Sequence, residues 1–313
     1  MLQYSVSDEG GILTNLIWAV QMPGFMLVAG WFSYREVSDW RTAGRRVRIA
    51  AEHYAMPFFT WFLLISVLLL GRFDRNPITG IGVLLTHVDG GLWFLWTVFV
   101  LAIVATFCNL AVSKGKTIGR QIAGVLIACA VFFGALLGLG MMFGLNFLGI
   151  KYILYYAVFY GFGWLARATE GIWRQWMKGK NVLLFICLVI FLAIVYNFDL
   201  YHTGDDVKSI LLRCIAGFTG NAVILATCEW YKDALERIKL DWLGMYTLET
   251  YTTHMYVNNL FQESNGNIFF TASGFGNFIV SLICTVVFTA VIIAVFKSIP
   301  AANYLMYGKR EKK

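Results

Sequence analysis

The sequence has 313 residues, of which 59% are hydrophobic and only 14% are charged, with a mean hydropathy of +0.67. Because soluble globular domains carry roughly 25% charged residues, this composition excludes a soluble enzyme and leaves no room for a sizeable soluble domain. The net charge of +7 does not indicate nucleic-acid binding, because the basic residues lie in short segments between apolar stretches. We therefore expect an all-α polytopic membrane protein in which residues 1–313 form a single domain.

Nine apolar stretches are long enough, or nearly so, for the roughly 20 residues with which a helix crosses a bilayer. They lie near 12–34, 50–70, 92–112, 121–143, 148–167, 181–198, 208–230, 242–261 and 274–297. The sequence thus predicts a bundle of about nine transmembrane helices.

The connections between these stretches alternate in charge. Of the 25 lysines and arginines, 20 lie in 35–49, 113–120, 167–180, 231–241 and the C-terminal end. Short connections rich in lysine and arginine stay in the cytoplasm, so we expect a multi-pass protein of a bacterial-type inner (plasma) membrane with a cytoplasmic C-terminus. With nine spans the N-terminus is then expected outside, which is also the arrangement expected if a preceding helix had been lost.

The six cysteines occur singly in apolar segments, and no two of them form a CxxC pair. No two histidines have the spacing of metal ligands. We therefore expect neither a disulfide framework nor a metal site.

The segment 35–57 contains five arginines between two apolar stretches. Arg45 and Arg48 are three residues apart at the head of a predicted helix, which places them on one helical face. Paired guanidinium groups can hold a diphosphate through bidentate contacts, so Arg45 and Arg48, with Arg41, predict a cofactor-binding site on the cytoplasmic side. The alternative is that these arginines only set the topology and touch anionic lipid headgroups.

Two aromatic residues near the start of the third apolar stretch are candidates for substrate binding. Trp93 lies in the run Leu92–Leu95, and His87 lies in the outer connection five residues before Leu92. We predict that Trp93 and His87 contribute to substrate binding at the outer face. The alternative for Trp93 is an anchor at the membrane interface, where tryptophan is common.

The eighth stretch is far too polar for a helix that faces lipid. Ionisable side chains inside a membrane bundle usually face its interior or a watery cavity. Tyr251, His254 and Asn258 fall on one helical face, whereas Glu249 is five residues from His254 and points elsewhere. This stretch is therefore the predicted location of catalytic and substrate-binding side chains.

Four motifs, in order along nearly the whole chain, resemble the acyltransferase-3 family of integral-membrane acyltransferases. They are the MPGF run from Met22 with Gly30-Trp31-Phe32, the Arg45–Arg48 pair with Met56-Pro57, the LWFL run from Leu92, and TLETYTTH at 247–254. Each motif is weak alone, and the four in this order are fairly specific.

The resemblance implies an enzyme that moves an acetyl or acyl group from cytoplasmic acyl-CoA to a hydroxyl of an extracytoplasmic or envelope carbohydrate. It implies that Arg45 and Arg48 contact the cofactor. Among the residues present, His254 is the candidate for an assisting catalytic role, with Tyr251 or Glu249 positioning the substrate and Asn258 binding it.

The family pattern has ten helices and a cytoplasmic N-terminus. Its first helix carries an arginine and a histidine held to be catalytic, and that helix has no counterpart in this sequence. We expect either that the start is placed too late or that the helix has been lost and catalysis is impaired.

Two other classes of function remain open on the sequence. A transporter or flippase is one alternative, although no internal repeat of the kind common in transporters is visible. A non-catalytic, acyltransferase-like membrane protein is the other.

Overall fold

The computed structural model describes residues 12–171, 181–200, 204, 206–237, 239, 244–258 and 272–309. The described residues form helices joined by turns, without a strand among them. In chain order the helices are α1 (Ile12–Ser33), α2 (Trp40–Leu69), α3 (Pro77–Thr86), α4 (Trp93–Lys114), α5 (Ile118–Phe143), α6 (Ile150–Ala168), α7 (Asn181–Asn197), α8 (Val207–Trp230), α9 (Lys232–Arg237), α10 (Thr247–Asn258), α11 (Ala272–Ser298) and α12 (Pro300–Tyr307).

Described helices lie at all nine predicted stretches. Six of them, α1, α2, α4, α5, α8 and the Phe278–Ser298 part of α11, are long and apolar enough to cross a membrane. Of the other three, α6 has 19 residues, α7 has 17 and α10 has 12. The predicted eighth stretch extends beyond α10 at both ends, and residues 242–243 and 259–261 lie outside the described part of the chain. The helices define an all-α polytopic membrane protein.

Two segments that the sequence analysis treats as connections are partly helical. The arginine-rich connection becomes helical at Trp40, so its second half forms the start of α2. The connection 71–91 contains α3, whose first turn is capped by the Asn76 side chain. Both corrections arise because hydropathy alone marks apolar length, whereas a helix can begin in polar sequence when a capping residue is present.

The chain separates into two compact units. The first consists of residues 1–25 and 174–295, and the second consists of residues 26–173 and 296–313.

In the first unit, the N-terminal part of α1 packs against α7 and α8. The buried core there is formed by Ala19, Phe191, Ile194, Val195, Leu200 and Ala216. Asn15 fixes this packing, because its amide group donates to the Phe198 carbonyl and accepts from the Leu200 N–H, each at 3.1 Å. A polar side chain in an apolar core is stable only when it is paired in this way.

Also in the first unit, α1 contains Pro23, which removes one backbone donor from the helix. Close to it, the Asn221 side chain of α8 donates to the Val20 carbonyl at 3.0 Å. Gly24 allows this approach, because a β-carbon there would collide with the Asn221 side chain. The MPGF motif therefore shapes the contact between α1 and α8.

In the second unit, α4 lies between several neighbours and is the most buried of the candidate spans, with 61% of its apolar window inside. It packs against α5, α6 and the first two thirds of α2, residues 40–61. By contrast, only 6% of the corresponding window of α5 is buried, so most of that helix has the apolar exterior expected of a lipid-facing surface.

The C-terminal part of α1 meets α6 through a pair of glycines in the second unit. A β-carbon at Gly30 would collide with the Tyr160 carbonyl, and one at Gly163 would collide with the Leu27 carbonyl. Small residues of this kind let membrane helices approach closely enough for their backbones to touch.

We predict that Gly163→Ala destabilises the protein by about 1–3 kcal/mol, because the added methyl group must push α1 and α6 apart. The measurement is thermal unfolding of the purified protein in detergent. Gly161→Ala is the matched control, since Gly161 lies on the same helix in open space and should unfold like the parent. Equal unfolding temperatures for the two variants would contradict the close helix contact.

Candidate functional site

The first candidate site is a stripe of arginines on the opening turns of α2. Asp39 caps the helix, with the Thr42 N–H donating to its carboxylate at 2.6 Å. Arg41, Arg45 and Arg48 follow at helical spacing and are all exposed. The prediction that Arg45 and Arg48 lie on one helical face is confirmed, and Arg41 extends the same stripe by one turn.

The Asp39 cap is sensitive to acid. Hydrogen bonds from the backbone and side chain of Thr42 hold the pKa of Asp39 below its usual value. Because the folded-state pKa is the lower one, the capping contribution is complete above about pH 4 and is lost as the pH falls through the folded-state pKa.

The arginine stripe rests on α4 through an apolar contact. Val37, Ala43 and Leu110 form a buried cluster, and the Val37 N–H donates to the Ser113 hydroxyl at 3.4 Å. Trp40 lies against Phe107, with ring centroids 6.2 Å apart. The basic residues are thereby held on a fixed helix and not on a free loop.

Two arginines of this segment have partners within it. Arg48 forms an ion pair with Glu52 at 3.0 Å, and the partly buried Arg46 donates to the Glu36 carbonyl at 3.5 Å. The Arg48 side chain is 69% exposed, whereas that of Glu52 is 20% exposed. The guanidinium group is therefore accessible from the solvent while it pairs with Glu52.

Directly after the arginines, α2 widens. Residues Ala51–Ala55 form a π-helical turn, in which the Met56 N–H bonds to the Ala51 carbonyl five residues back. Pro57 follows and has no N–H of its own, so the wide turn accommodates a break in the ordinary hydrogen-bond ladder. Such turns occur frequently at functional sites. Hydropathy and spacing in the sequence do not reveal this turn.

Behind the stripe lies a polar network that the sequence analysis missed. The Asn109 side chain donates to the Ser33 carbonyl and accepts from the Trp164 indole N–H, both at 2.8 Å. Tyr34 packs edge-on against Trp164 at 5.3 Å. The available signal was an asparagine inside an otherwise apolar helix, because intramembrane polar residues are rarely accidental.

The second candidate site is the polar helix α10 of the first unit. Glu249, Thr252 and Thr253 are completely buried and share one face with the buried Val257. Tyr251 and His254 are only partly buried and lie on another face, with their ring centroids 6.0 Å apart. The structure therefore brings Tyr251 and His254 together and turns Glu249 away from them, as predicted. Asn258 ends the helix, and its side chain lies outside the described part of the structure.

The imidazole of His254 has a defined protonation pattern. Its Nδ1 lies 2.7 Å from the Thr250 carbonyl oxygen. A carbonyl can only accept, so Nδ1 carries the proton and Nε2 of the neutral ring keeps its lone pair. His254 is thus prepared to accept a proton at Nε2.

Trp93 and His87, the two residues predicted to bind substrate near the start of α4, have different surroundings. Trp93 stacks on Tyr152 and Tyr156, with centroid distances of 4.9 and 5.3 Å. His87 follows the last residue of α3 and is exposed. Trp93 is therefore a packing residue of the α4–α6 contact as well as a candidate for substrate binding.

Two of the cysteines that appear isolated in the sequence are neighbours in space. The Sγ atoms of Cys108 on α4 and Cys129 on α5 lie 3.8 Å apart, at hydrogen-bond distance and without a covalent bond. Among the described residues, no group of three or more histidine, cysteine, aspartate or glutamate side chains is arranged to hold a metal ion.

Comparison with known families assigns the chain. The acyltransferase-3 family model, described as an acyltransferase domain, matches residues 5–297. Because the match spans most of the sequence, this protein belongs to the acyltransferase-3 family. No curated protein and no solved structure matches the chain.

We predict that Asn109 and Trp164 stabilise the second unit as a pair. Asn109→Ala leaves the N–H of the half-buried Trp164 without its acceptor, and interhelical hydrogen bonds in membranes are worth about 1 kcal/mol. Thermal unfolding of Asn109→Ala, Trp164→Phe and the double variant gives the coupling energy directly. Strictly additive losses would show that the two side chains act independently.

Proposed function

We propose that the protein transfers an acetyl or other acyl group from acyl-CoA to a hydroxyl group of an extracytoplasmic or envelope carbohydrate. The family assignment supports a membrane acyltransferase. The observation that carries the choice of donor is the exposed stripe of Arg41, Arg45 and Arg48 on a capped, packed helix. A rigid row of guanidinium groups suits a ligand that bears phosphate groups.

The proposed sidedness follows from the charge pattern. The arginine stripe, the other basic connections and the C-terminus lie on the cytoplasmic side of the inner membrane, because basic connections resist translocation. Acyl-CoA is a cytoplasmic metabolite, so the stripe faces the compartment that supplies the donor.

The proposed reaction assigns a role to His254. The acceptor hydroxyl oxygen bonds to the thioester carbonyl carbon as the carbon–sulfur bond breaks. The hydroxyl proton passes to Nε2 of His254 and then to the departing sulfur, which leaves as the free thiol of coenzyme A. The hydrogen bond from Nδ1 to the Thr250 carbonyl holds the ring in the tautomer that this step needs. Tyr251 and Asn258 are proposed to position the acceptor from α10, and Glu249, which lies on the buried face of that helix, is proposed to do so only by supporting it. In the second unit, Trp93 and His87 are proposed as substrate contacts in their own right.

We predict that the double variant Arg45→Ala/Arg48→Ala binds coenzyme A at least tenfold more weakly than the parent, because charge-assisted hydrogen bonds contribute about 1.5–3 kcal/mol each. The measurement is calorimetric titration of the purified protein in lipid nanodiscs. Lys116→Ala/Arg120→Ala is the matched control, since both residues are exposed and the net charge changes equally. If both double variants lose the same affinity for coenzyme A, the effect comes from net charge and not from the stripe. If Arg45→Ala/Arg48→Ala keeps the affinity of the parent, the stripe does not bind the cofactor.

We predict that His254→Gln lowers the transfer rate about 10²–10⁴-fold, the range attributed to general acid–base catalysis, while coenzyme A affinity stays unchanged. The readout is formation of acylated acceptor from labelled acyl-CoA by membranes containing the protein. Tyr251→Phe keeps the neighbouring ring and should retain more activity than His254→Gln. A fully active His254→Gln variant would overturn the assigned role.

A further inference from the structure

Two thiols face each other across the contact between α4 and α5 in the second unit. The Sγ atoms of Cys108 and Cys129 lie 3.8 Å apart. Neither thiol belongs to the arginine stripe or to α10, and neither has a part in the proposed acyl transfer. The pair is therefore a cluster of reactive groups outside both candidate sites.

The contact that carries the thiols has a regular register. A short turn joins α4 to α5, so the two helices run in opposite directions along each other. Next to the turn, the Gln121 side chain donates to the Gly115 carbonyl at 3.1 Å. Farther along, a β-carbon at Gly124 would lie only 2.9 Å from that of Ala111. The small residue at position 124 thus lets the two helices approach closely.

The two cysteines occupy the next facing position along this line of contacts. Cys108 lies about one helical turn beyond Ala111 on α4, and Cys129 lies about one turn beyond Gly124 on α5. Their proximity therefore follows from the register of two packed helices and does not depend on one side-chain rotamer.

The distance between the thiols permits a covalent bond. A disulfide holds its sulfurs about 2.0 Å apart, so the two Sγ atoms must close a gap of just under 2 Å from their separation of 3.8 Å. Each sulfur stands at the end of a rotatable Cα–Cβ bond, and rotation of both side chains shares this movement.

The two thiols differ in their access to the bilayer. Cys108 is only 5% exposed, whereas Cys129 is half-buried. Cys129 also lies on α5, whose apolar window is only 6% buried and has the character of a lipid-facing surface. A reagent dissolved in the hydrocarbon region therefore reaches Cys129 first, and Cys108 stands behind it.

We propose that Cys108 and Cys129 form a modification site for hydroperoxides of the bilayer, which convert the two thiols to a disulfide that clamps α4 to α5. Cys129 is the thiol that the hydroperoxide oxidises, and Cys108 is the resolving thiol. The proposal goes beyond acyl transfer and does not depend on the identity of the donor or the acceptor.

The reaction balances with one hydroperoxide for each pair of thiols. The Cys129 sulfur takes the terminal oxygen as the O–O bond breaks, and the thiol proton leaves with the other oxygen as an alcohol. The Cys108 sulfur then bonds to the sulfenic sulfur as its S–O bond breaks, and the second thiol proton leaves with the hydroxyl group as water. The two thiols lose two electrons, and the hydroperoxide gains them.

The clamp acts on a part of α4 that also contacts other helices. Phe107 packs against Trp40 of α2, and Asn109 donates to the Ser33 carbonyl of α1. These residues are the immediate neighbours of Cys108. A disulfide at Cys108 therefore ties α5 to the point where α4 holds α1 and the start of α2.

The first test is mass spectrometry of the full-length protein in nanodiscs that contain a phospholipid hydroperoxide. A digest prepared without reductant should contain the peptides of Cys108 and Cys129 joined by a disulfide, and dithiothreitol should separate them. Cys187→Ser is the matched control, since Cys187 is also half-buried, and it should leave the cross-link unchanged. Two thiols that stay reduced, or that pair with other cysteines, would overturn the proposal.

Single variants test the two assigned roles. In Cys108→Ser, Cys129 has no resolving thiol and should accumulate as sulfenic acid, trapped by dimedone, and then as sulfinic acid. In Cys129→Ser, Cys108 should stay reduced because it is buried. Equal oxidation of the remaining cysteine in the two variants would overturn the assignment of Cys129 as the thiol that is oxidised first.

The route of access is tested by the choice of oxidant. The phospholipid hydroperoxide should form the cross-link faster than the same amount of hydrogen peroxide added to the water. A faster reaction with aqueous hydrogen peroxide would overturn the route through the bilayer.

The clamp itself is tested by thermal unfolding in detergent. The oxidised parent should unfold several degrees above the reduced parent, because the disulfide restricts the unfolded chain. Cys129→Ser should unfold at the same temperature before and after exposure to the hydroperoxide. An oxidised parent that unfolds at or below the temperature of the reduced parent would contradict the clamp.

Discussion

A polar group inside a bilayer must find its partner within the protein, and the helix contacts described above follow from that constraint. Asn15 pairs with backbone groups at the end of α7, and Asn221 pairs with the α1 carbonyl that precedes Pro23. Asn109 joins Ser33 to Trp164. Each amide fixes the distance and rotation of two helices, so the apolar residues around it pack in one arrangement.

The arginine stripe likewise depends on backbone hydrogen bonds and backbone contacts at its two ends. Asp39 accepts a hydrogen bond from the Thr42 N–H, one of the free backbone donors in the first turn of α2, and so helps the helix begin ahead of the arginines. Farther along, Gly308 packs against the backbone of the wide turn at Ala51–Ala55, so closely that a β-carbon at Gly308 would collide with the Glu52 carbonyl. Backbone interactions therefore fix the helix on both sides of the arginine stripe, and the arginines themselves supply the positive charge.

Much of the architecture is readable from the sequence, because long apolar runs and alternating basic connections are strong signals. The shared face of Arg45 and Arg48 and the separation of Glu249 from His254 also follow from helical periodicity alone. The Asn109 network does not, since its partners Ser33 and Trp164 come from distant parts of the chain. The π-helical turn and the tautomer of His254 rest on local backbone carbonyls, of Ala51 and Thr250, that hydropathy and residue spacing do not reveal. The seating of Gly308 on Glu52 lies even further from sequence, because more than 250 residues separate them.

The contrast between α4 and α5 has an evolutionary consequence. With 61% of its apolar window enclosed, α4 contacts protein atoms on most sides, whereas α5 has 6% enclosed. Lipid tails adapt to any apolar outline, but packed neighbours do not. Drift among leucine, isoleucine, valine and phenylalanine should accordingly accumulate on α5, while α4 keeps its side-chain volumes as the sequence diverges.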